Sequence, residues 1–170
     1  PLGEGLSHAA GVAYAFRIPS TPLGTGDKRS VYCVMSDGEQ EEGSIWEAVM
    51  FAGKNKLSNL TAVLDRNNIQ IDGTTEDIMP LEPLADKYRA FNWHVLEVDG
   101  HNIAEFIQAI DEAKAVYEKP TLIIAHTIPG KGVPEIEFDY HWHGKPPTKE
   151  EGKRFLKELR SLNGKLHEYA

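Results

Sequence analysis

The chain has 170 residues, 41% of them hydrophobic and 26% charged, with a formal net charge of −8. That length fits one domain with a real core, and that composition fits an ordinary soluble globular protein. The acidic balance argues against nucleic acid as a partner and against a basic membrane-binding surface, while leaving room for an anionic ligand at a local site.

From Gly5 to Phe16 the residues are small, and such a helix can approach a sheet or another helix closely. Pro19 to Lys28 reads as a loop rich in Pro, Gly and Thr. Val31 to Met35 is a short apolar run, predicted as a buried strand. It contains Cys33, the one cysteine, which excludes an intramolecular disulfide, reads as an inert buried thiol and fits a reducing, cytoplasmic compartment. Ser44 with Glu47 has the spacing of a capping box. The helix that follows turns Ile45, Trp46, Val49 and Ala52 inward and ends near Gly53.

Leu60 to Leu64 is the next strand, and Ile69 to Pro83 reads as an irregular loop with Asp72-Gly73 as a turn. Leu84 to Phe91 is a short helix and Trp93 to Val98 a strand. Asn102 with Glu105 caps a helix whose apolar stripe is Ile103, Phe106, Ile107, Ile110 and Ala113. Thr121 to Ala125 is the last strong strand. A polar stretch then leads through Trp142-His143-Gly144 to a helix over about 149–162, capped by Thr148 and Glu151, with Phe155, Leu156, Leu159 and Leu162 on one side. No run approaches the roughly 20 apolar residues of a membrane span, and no signal peptide is visible. Strands alternating with helices predict one α/β domain over 1–170, in three layers (α/β/α) around a mainly parallel sheet.

Two positions stand out. Asp37 and Asn67 each follow an apolar run and are 30 residues apart. Each alone is a common turn residue. In a parallel sheet, however, the two strand ends lie side by side, where open α/β sheets bind ligands. One carboxylate, one amide oxygen and nearby glycine amides suit Mg²⁺ with a diphosphate, since Mg²⁺ takes hard oxygen donors and shares its shell with phosphate. Gly43 and Ser44 open a helix whose N-terminus favours an anion. Glu39, Glu41 and Glu42 read as a solvated helix start. Of the seven histidines, His141 and His143 are two apart, but no third residue completes a zinc set. His126 reads as structural or near the site. His8, His94, His101 and His167 read as surface or satisfied side chains, and Lys131 as a loose candidate for a phosphate.

Asp37-Gly38, the gap and Asn67 resemble the thiamine diphosphate motif. The longer text Asp37-Gly38-Glu39-x-x-Glu42-Gly43-Ser44-x-Trp46-Glu47-Ala48, with Trp142-His143-Gly144-Lys145-Pro146, resembles transketolase. Ser36 departs from the family's usual glycine. The resemblance covers nearly the whole chain and implies a thiamine diphosphate-binding fold. It implies Asp37, Asn67 and the backbone carbonyl of Ile69 as ligands of Mg²⁺, or of Ca²⁺ in its place. It also implies cofactor contacts from the Pro1 to Gly3 backbone, so from Leu2 and Gly3, and from Gly38, Ile71 and His143. His143 would lie near the diphosphate and the substrate channel as the catalytic histidine, and Glu42 near a dimer interface that links two cofactor sites.

The resemblance further implies a pentose phosphate pathway enzyme that moves a two-carbon ketol unit between sugar phosphates. The activating glutamate of the family belongs to a pyrimidine-binding domain with no match here. A second chain carrying that domain is therefore expected, in a homo- or hetero-oligomer, as are roughly a hundred residues ahead of Pro1. The alternatives are a deoxyxylulose phosphate synthase, the α chain of a 2-oxo acid dehydrogenase, or a non-catalytic scaffold. Asp37→Ala and Asn67→Ala are each expected to abolish Mg²⁺-dependent cofactor binding with the fold intact.

Overall fold

The computed structural model describes residues 2–17 and 29–166, with side chains as far as residue 159. Pro1, the loop expected over Pro19 to Lys28, His167 and the side chain of Leu162 lie outside the described residues. The elements run α1 (Gly5–Ala15), β1 (Val31–Ser36), α2 (Gly43–Lys54), β2 (Leu60–Arg66), β3 (Ile69–Gln70), β4 (Gly73–Thr74), α3 (Thr75–Ile78), α4 (Leu84–Ala90), β5 (His94–Asp99), α5 (Ile103–Ala115), β6 (Thr121–His126) and α6 (Lys149–Leu166). Short 3₁₀ turns stand at Gly38–Glu41 and Tyr140–Trp142.

Four strands form one parallel sheet in the order β1-β2-β6-β5. β1 and β2 are neighbours in a register that sets Ser36 opposite Asp65. Successive side chains alternate between the faces, as strand geometry requires. Ala62 and Leu64 of β2 and Leu122 and Ile124 of β6 join a core with Leu6 and Ala10 of α1, Ile45 and Val49 of α2 and Tyr88 of α4. Val63, Ile123 and Ala125 point the other way, onto Ala109 and Ala113 of α5. Helices thus cover both faces, and the expected three-layer α/β/α architecture is present.

Five local expectations change. Ser44 and Glu47 form no capping box: α2 begins at Gly43, its cap residue Glu42 makes no side-chain cap bond, and the Ser44 hydroxyl donates to the carbonyl of Gly3 at 2.9 Å. The segment after β2 is not irregular. It holds the antiparallel β3–β4 hairpin and the single turn α3, and the hairpin turn is Ile71-Asp72. β1 is buried on one face only, because it edges the sheet and α5 packs over the other strands, leaving Val34 75% exposed. On α5 Ile103 and Ile107 stay exposed, while Phe106 and Ile110 pack on the sheet. On α6 Phe155 is buried against Trp142, whereas Leu156 and Leu159 are exposed.

The predicted cap of α5 is present, with the Glu105 amide donating to Asn102 Oδ1 at 3.2 Å. So is that of α6, where Thr148 and Glu151 bond reciprocally. Gly53 is required by close approach, since a Cβ there would lie 1.9 Å from the carbonyl oxygen of Phe91. No helix among the described residues is long and apolar enough to cross a membrane.

Candidate functional site

β1 and β2 both point their carboxyl ends at the same edge of the sheet. Asp37 follows β1 directly and is buried, 1% exposed. Its Oδ1 accepts from the Gly38 amide at 2.9 Å, and its Oδ2 from the Asn68 amide at 2.6 Å and from Arg66 Nη1 at 3.2 Å. Asn68 adopts a left-handed backbone (φ 66°), which asparagine tolerates, and this turn aims its amide at Asp37. Burial pushes the Asp37 carboxyl above its usual range, against the downward pull of the Asn68 and Gly38 amides and of Arg66.

Asn67 is half-buried. Its Oδ1 accepts from the Ile69 amide at 3.0 Å, a local side-chain turn, and its Nδ2 faces Asp65 Oδ2 at 3.5 Å. The two strand tips meet through the Asn68–Asp37 bond.

Two clefts open beside them. The first, about 270 Å³, is lined by Leu2, Asp37, Gly38, Glu42, Ile69, Ile71 and His143, so seven of the predicted site residues share one wall-to-wall space. Ile71 is 72% exposed there, an apolar side chain left largely uncovered by the described residues. The second cleft, about 320 Å³, is lined by Asn67 together with Ile69, His143, Trp142 and Lys145. Asn67 therefore faces the neighbouring space, and Ile69 and His143 are the wall common to both. Gly3 lines neither cleft. It lies behind Leu2 with φ 79°, and a Cβ there would come within 2.8 Å of Glu42 Cγ.

This turn is held by contacts between residues distant in sequence, which no local pattern reveals. Glu39 is no solvated helix start: its Oε1 accepts from the Gly3 amide at 2.9 Å and its Oε2 from the Ser36 amide at 2.7 Å. Gln40, which is buried, accepts from the Tyr88 hydroxyl at 2.6 Å and donates to the Ser36 carbonyl at 3.1 Å. The Gly38 amide, expected to face a diphosphate, is bonded to Asp37, and a Cβ on Gly38 would meet the Gln70 side chain alone, Oε1 at 3.4 Å and Cβ at 4.0 Å. The chain itself thus leaves room at Gly38, and any need for glycine comes from the ligand side.

Among the histidines, His141 stacks on Tyr140 and bonds Asp139 at 2.7 Å, and His126 pairs with Glu97 at 3.0 Å. His101 Nε2 accepts from the Ile128 amide at 2.7 Å. Lys131 is exposed and lines neither cleft. Cys33 is buried and unpaired, and burial raises its thiol pKa.

The donor set fits a hard cation only in part. Asp37, Asn67 and the Ile69 carbonyl supply oxygens of the kind Mg²⁺ takes. Among the described residues no group of three His, Cys, Asp or Glu could hold a metal. A cation at these tips must therefore draw the rest of its shell from a ligand and water. The residues fit a metal that arrives with a diphosphate, and not a metal held by protein alone.

The family model described as "Transketolase, thiamine diphosphate binding domain" matches residues 1–164. The chain is 44% identical over 158 residues to the 6-deoxy-6-sulfo-D-fructose transketolase subunit of a Clostridium species, covering 93% of this chain and 55% of that one. It is 41% identical over 165 residues to an apulose-4-phosphate transketolase subunit of Phocaeicola vulgatus, covering 97% of this chain and 57% of the relative. The solved transketolase of Campylobacter jejuni superposes with a TM-score of 0.85 at 34% identity, over 96% of this chain and 25% of that one. The chain thus spans a little over half of the two half-length relatives and about a quarter of the full-length enzyme. It belongs to the family of transketolase thiamine diphosphate-binding domains.

Proposed function

We propose that this chain is the cofactor-binding part of a transketolase. It holds thiamine diphosphate through Mg²⁺, with Asp37, Asn67 and the carbonyl of Ile69 as the protein ligands and Ca²⁺ as an alternative cation. The observation that carries this reading is the meeting of two strand tips, distant in sequence, beside a cleft that gathers Leu2, Asp37, Gly38, Glu42, Ile69, Ile71 and His143.

Bound thiamine diphosphate supplies the electron sink that lets a carbon–carbon bond break and form. The chain's own residues do the rest of what the site requires on this side. Asp37 and Asn67 orient the cation. Leu2 and Ile71 offer apolar surface to a ring, with Gly3 setting the turn that presents Leu2. Glu42 stands at the cleft rim, where the family places the contact between two cofactor sites. His143 is exposed on the wall shared by both clefts, which supports its assignment as the side chain that meets diphosphate and substrate.

The proposed reaction moves a two-carbon ketol unit from a ketose phosphate to an aldose phosphate, as in the pentose phosphate pathway. A second chain carrying the pyrimidine-binding domain completes the site in a homo- or hetero-oligomer. The word "subunit" in the names of both half-length relatives supports that arrangement. Their named substrates end in a sulfonate or a phosphate, which supports an anionic sugar. The lone, unpaired Cys33 suits a reducing compartment, and we place the protein in the cytoplasm.

The test has two stages. Titration calorimetry of thiamine diphosphate into the chain should give saturable heat with Mg²⁺ present and none in chelator. Addition of a pyrimidine-domain chain should then give ketol transfer. Saturable binding without transfer in any such mixture would favour the scaffold reading. No binding in either buffer would remove the cofactor reading.

A further inference from the structure

We propose that Arg66 is a positioning residue for the cation site: its guanidinium fixes the Asp37 carboxylate and ties to it the segment that carries Ile69 and Ile71. The inference rests on the reading of Asp37 as a cation ligand given above.

Arg66 is the last residue of β2, and by strand alternation it points to the same face as Ala62 and Leu64. A cation there is unusual, because arginine is rarely buried without partners. Its side chain is 3% exposed and meets four acceptors. Nη1 donates to Asp37 Oδ2 at 3.2 Å and to Thr75 Oγ1 at 2.7 Å. Nη2 donates to Glu76 Oε1 at 2.7 Å and to Glu82 Oε1 at 3.1 Å. A planar fork of this kind fixes acceptors in direction as well as distance, which a lysine cannot do.

The four acceptors join two places in the chain. Asp37 is at the tip of β1. Thr75, Glu76 and Glu82 are beyond the β3–β4 hairpin, whose strand β3 and turn hold Ile69 and Ile71. Glu76 and Glu82 are themselves pinned by the Leu81 amide at 3.2 Å and the Leu84 amide at 2.8 Å. Arg66 is thus the one described side chain that bonds both to the carboxylate and to the far end of this segment. Arg66 and the Asn68 amide together hold Oδ2, and the Gly38 amide holds Oδ1. The plane of the carboxylate is therefore fixed before any cation arrives. With only one carboxylate in the donor set, its orientation decides the geometry of the site. Groups that orient a metal ligand typically change metal affinity 10- to 100-fold when removed.

The experiment measures Mn²⁺ binding by electron paramagnetic resonance at saturating thiamine diphosphate, with a thermal melt of each protein to set a temperature well below its transition. Arg66→Met should weaken Mn²⁺ about 10- to 100-fold. Arg66→Lys, which keeps the charge and can reach one acceptor at a time, should recover part of that loss. Parent-like Mn²⁺ affinity in folded Arg66→Met, with only the melting temperature lowered, would overturn the inference and leave Arg66 as a brace of the fold. If Arg66→Met does not fold, Arg66→Lys decides. A several-fold loss supports the proposal and parent-like affinity overturns it. A parent protein that binds no Mn²⁺ with the cofactor present removes the cation site itself, and this proposal with it, an outcome distinct from the others.

Discussion

The two strand tips that frame the site are built differently. At the end of β1, Asp37 is buried, accepts three hydrogen bonds and faces a buried guanidinium. At the end of β2, one strand over, Asn67 is half-buried and, among the described residues, bonds only within its own turn and to Asp65. One tip is locked into the core while the other rests on local contacts. Stability and the proposed cation binding are therefore coupled at Asp37 and separable at Asn67.

The largest expected effect is at Asp37. Replacing it with alanine removes a proposed cation ligand and strands Arg66 with one carboxylate fewer. Breaking a buried pair from one side costs about 3 to 5 kcal/mol, and the remaining Glu76 and Glu82 keep the expected value near the lower end. Urea unfolding of Asp37→Ala should show that loss alongside the loss of Mg²⁺-dependent cofactor binding. Unchanged stability would mean that the ion pair does not form in solution. The fold of Asp37→Ala, expected from sequence to stay intact, should do so with a reduced margin of stability.

Next is Gln40, which braces the locked tip from below. Gln40→Leu leaves the Tyr88 hydroxyl and the Ser36 carbonyl without their partner, a loss of about 1 to 3 kcal/mol. The double variant Gln40→Leu with Tyr88→Phe removes both ends of one bond. It should be more stable than the sum of the two single changes, which a double-mutant cycle in urea would reveal. Strict additivity would mean that the bond contributes nothing.

Asn67→Ala sharpens the contrast. It should cost only about 1 kcal/mol, the worth of one partly exposed hydrogen bond, and still abolish Mg²⁺-dependent binding in calorimetry. A stability loss as large as that of Asp37→Ala would erase the distinction between the tips.

The smallest effect is a pH dependence at the outer end of the Arg66 network. Burial alone would raise the Glu82 carboxyl. The Leu84 amide and Arg66 outweigh that and hold it below its ordinary value. A depressed carboxylate contributes stability above its unfolded pKa and loses it as pH falls through the folded one. Glu82→Gln should therefore melt up to about 2 °C lower than the parent at neutral pH, with the gap closing in the acid range. A gap that persists unchanged at low pH would assign the effect to packing.

Much of this was legible in the sequence, for reasons that can be named. β2 and β6 lie inside the sheet, so their apolar runs are unbroken and easily seen. Asn102 and Glu105 act within one helical turn, so their spacing alone reveals the cap. Asp37 and Asn67 stood out because each ends such a run, and adjacent parallel strands bring run ends together. What failed depended on contacts between distant residues. Ser44 has capping spacing, yet its hydroxyl is taken by Gly3, 41 residues earlier. Tyr32 and Val34 look like core residues until the strand order puts β1 at an edge. The β3–β4 hairpin has two-residue strands, too short for any periodicity to register. Arg66 did leave a signal, a charged residue closing an apolar strand, and burial of such a residue demands partners.

The most direct test of the central claim is anomalous diffraction from crystals grown with thiamine diphosphate and Mn²⁺ in place of Mg²⁺. One strong peak is expected between Asp37 and Asn67, within bonding distance of the Ile69 carbonyl and of the cofactor's diphosphate. A peak elsewhere, or a cofactor bound away from these two tips, would contradict it.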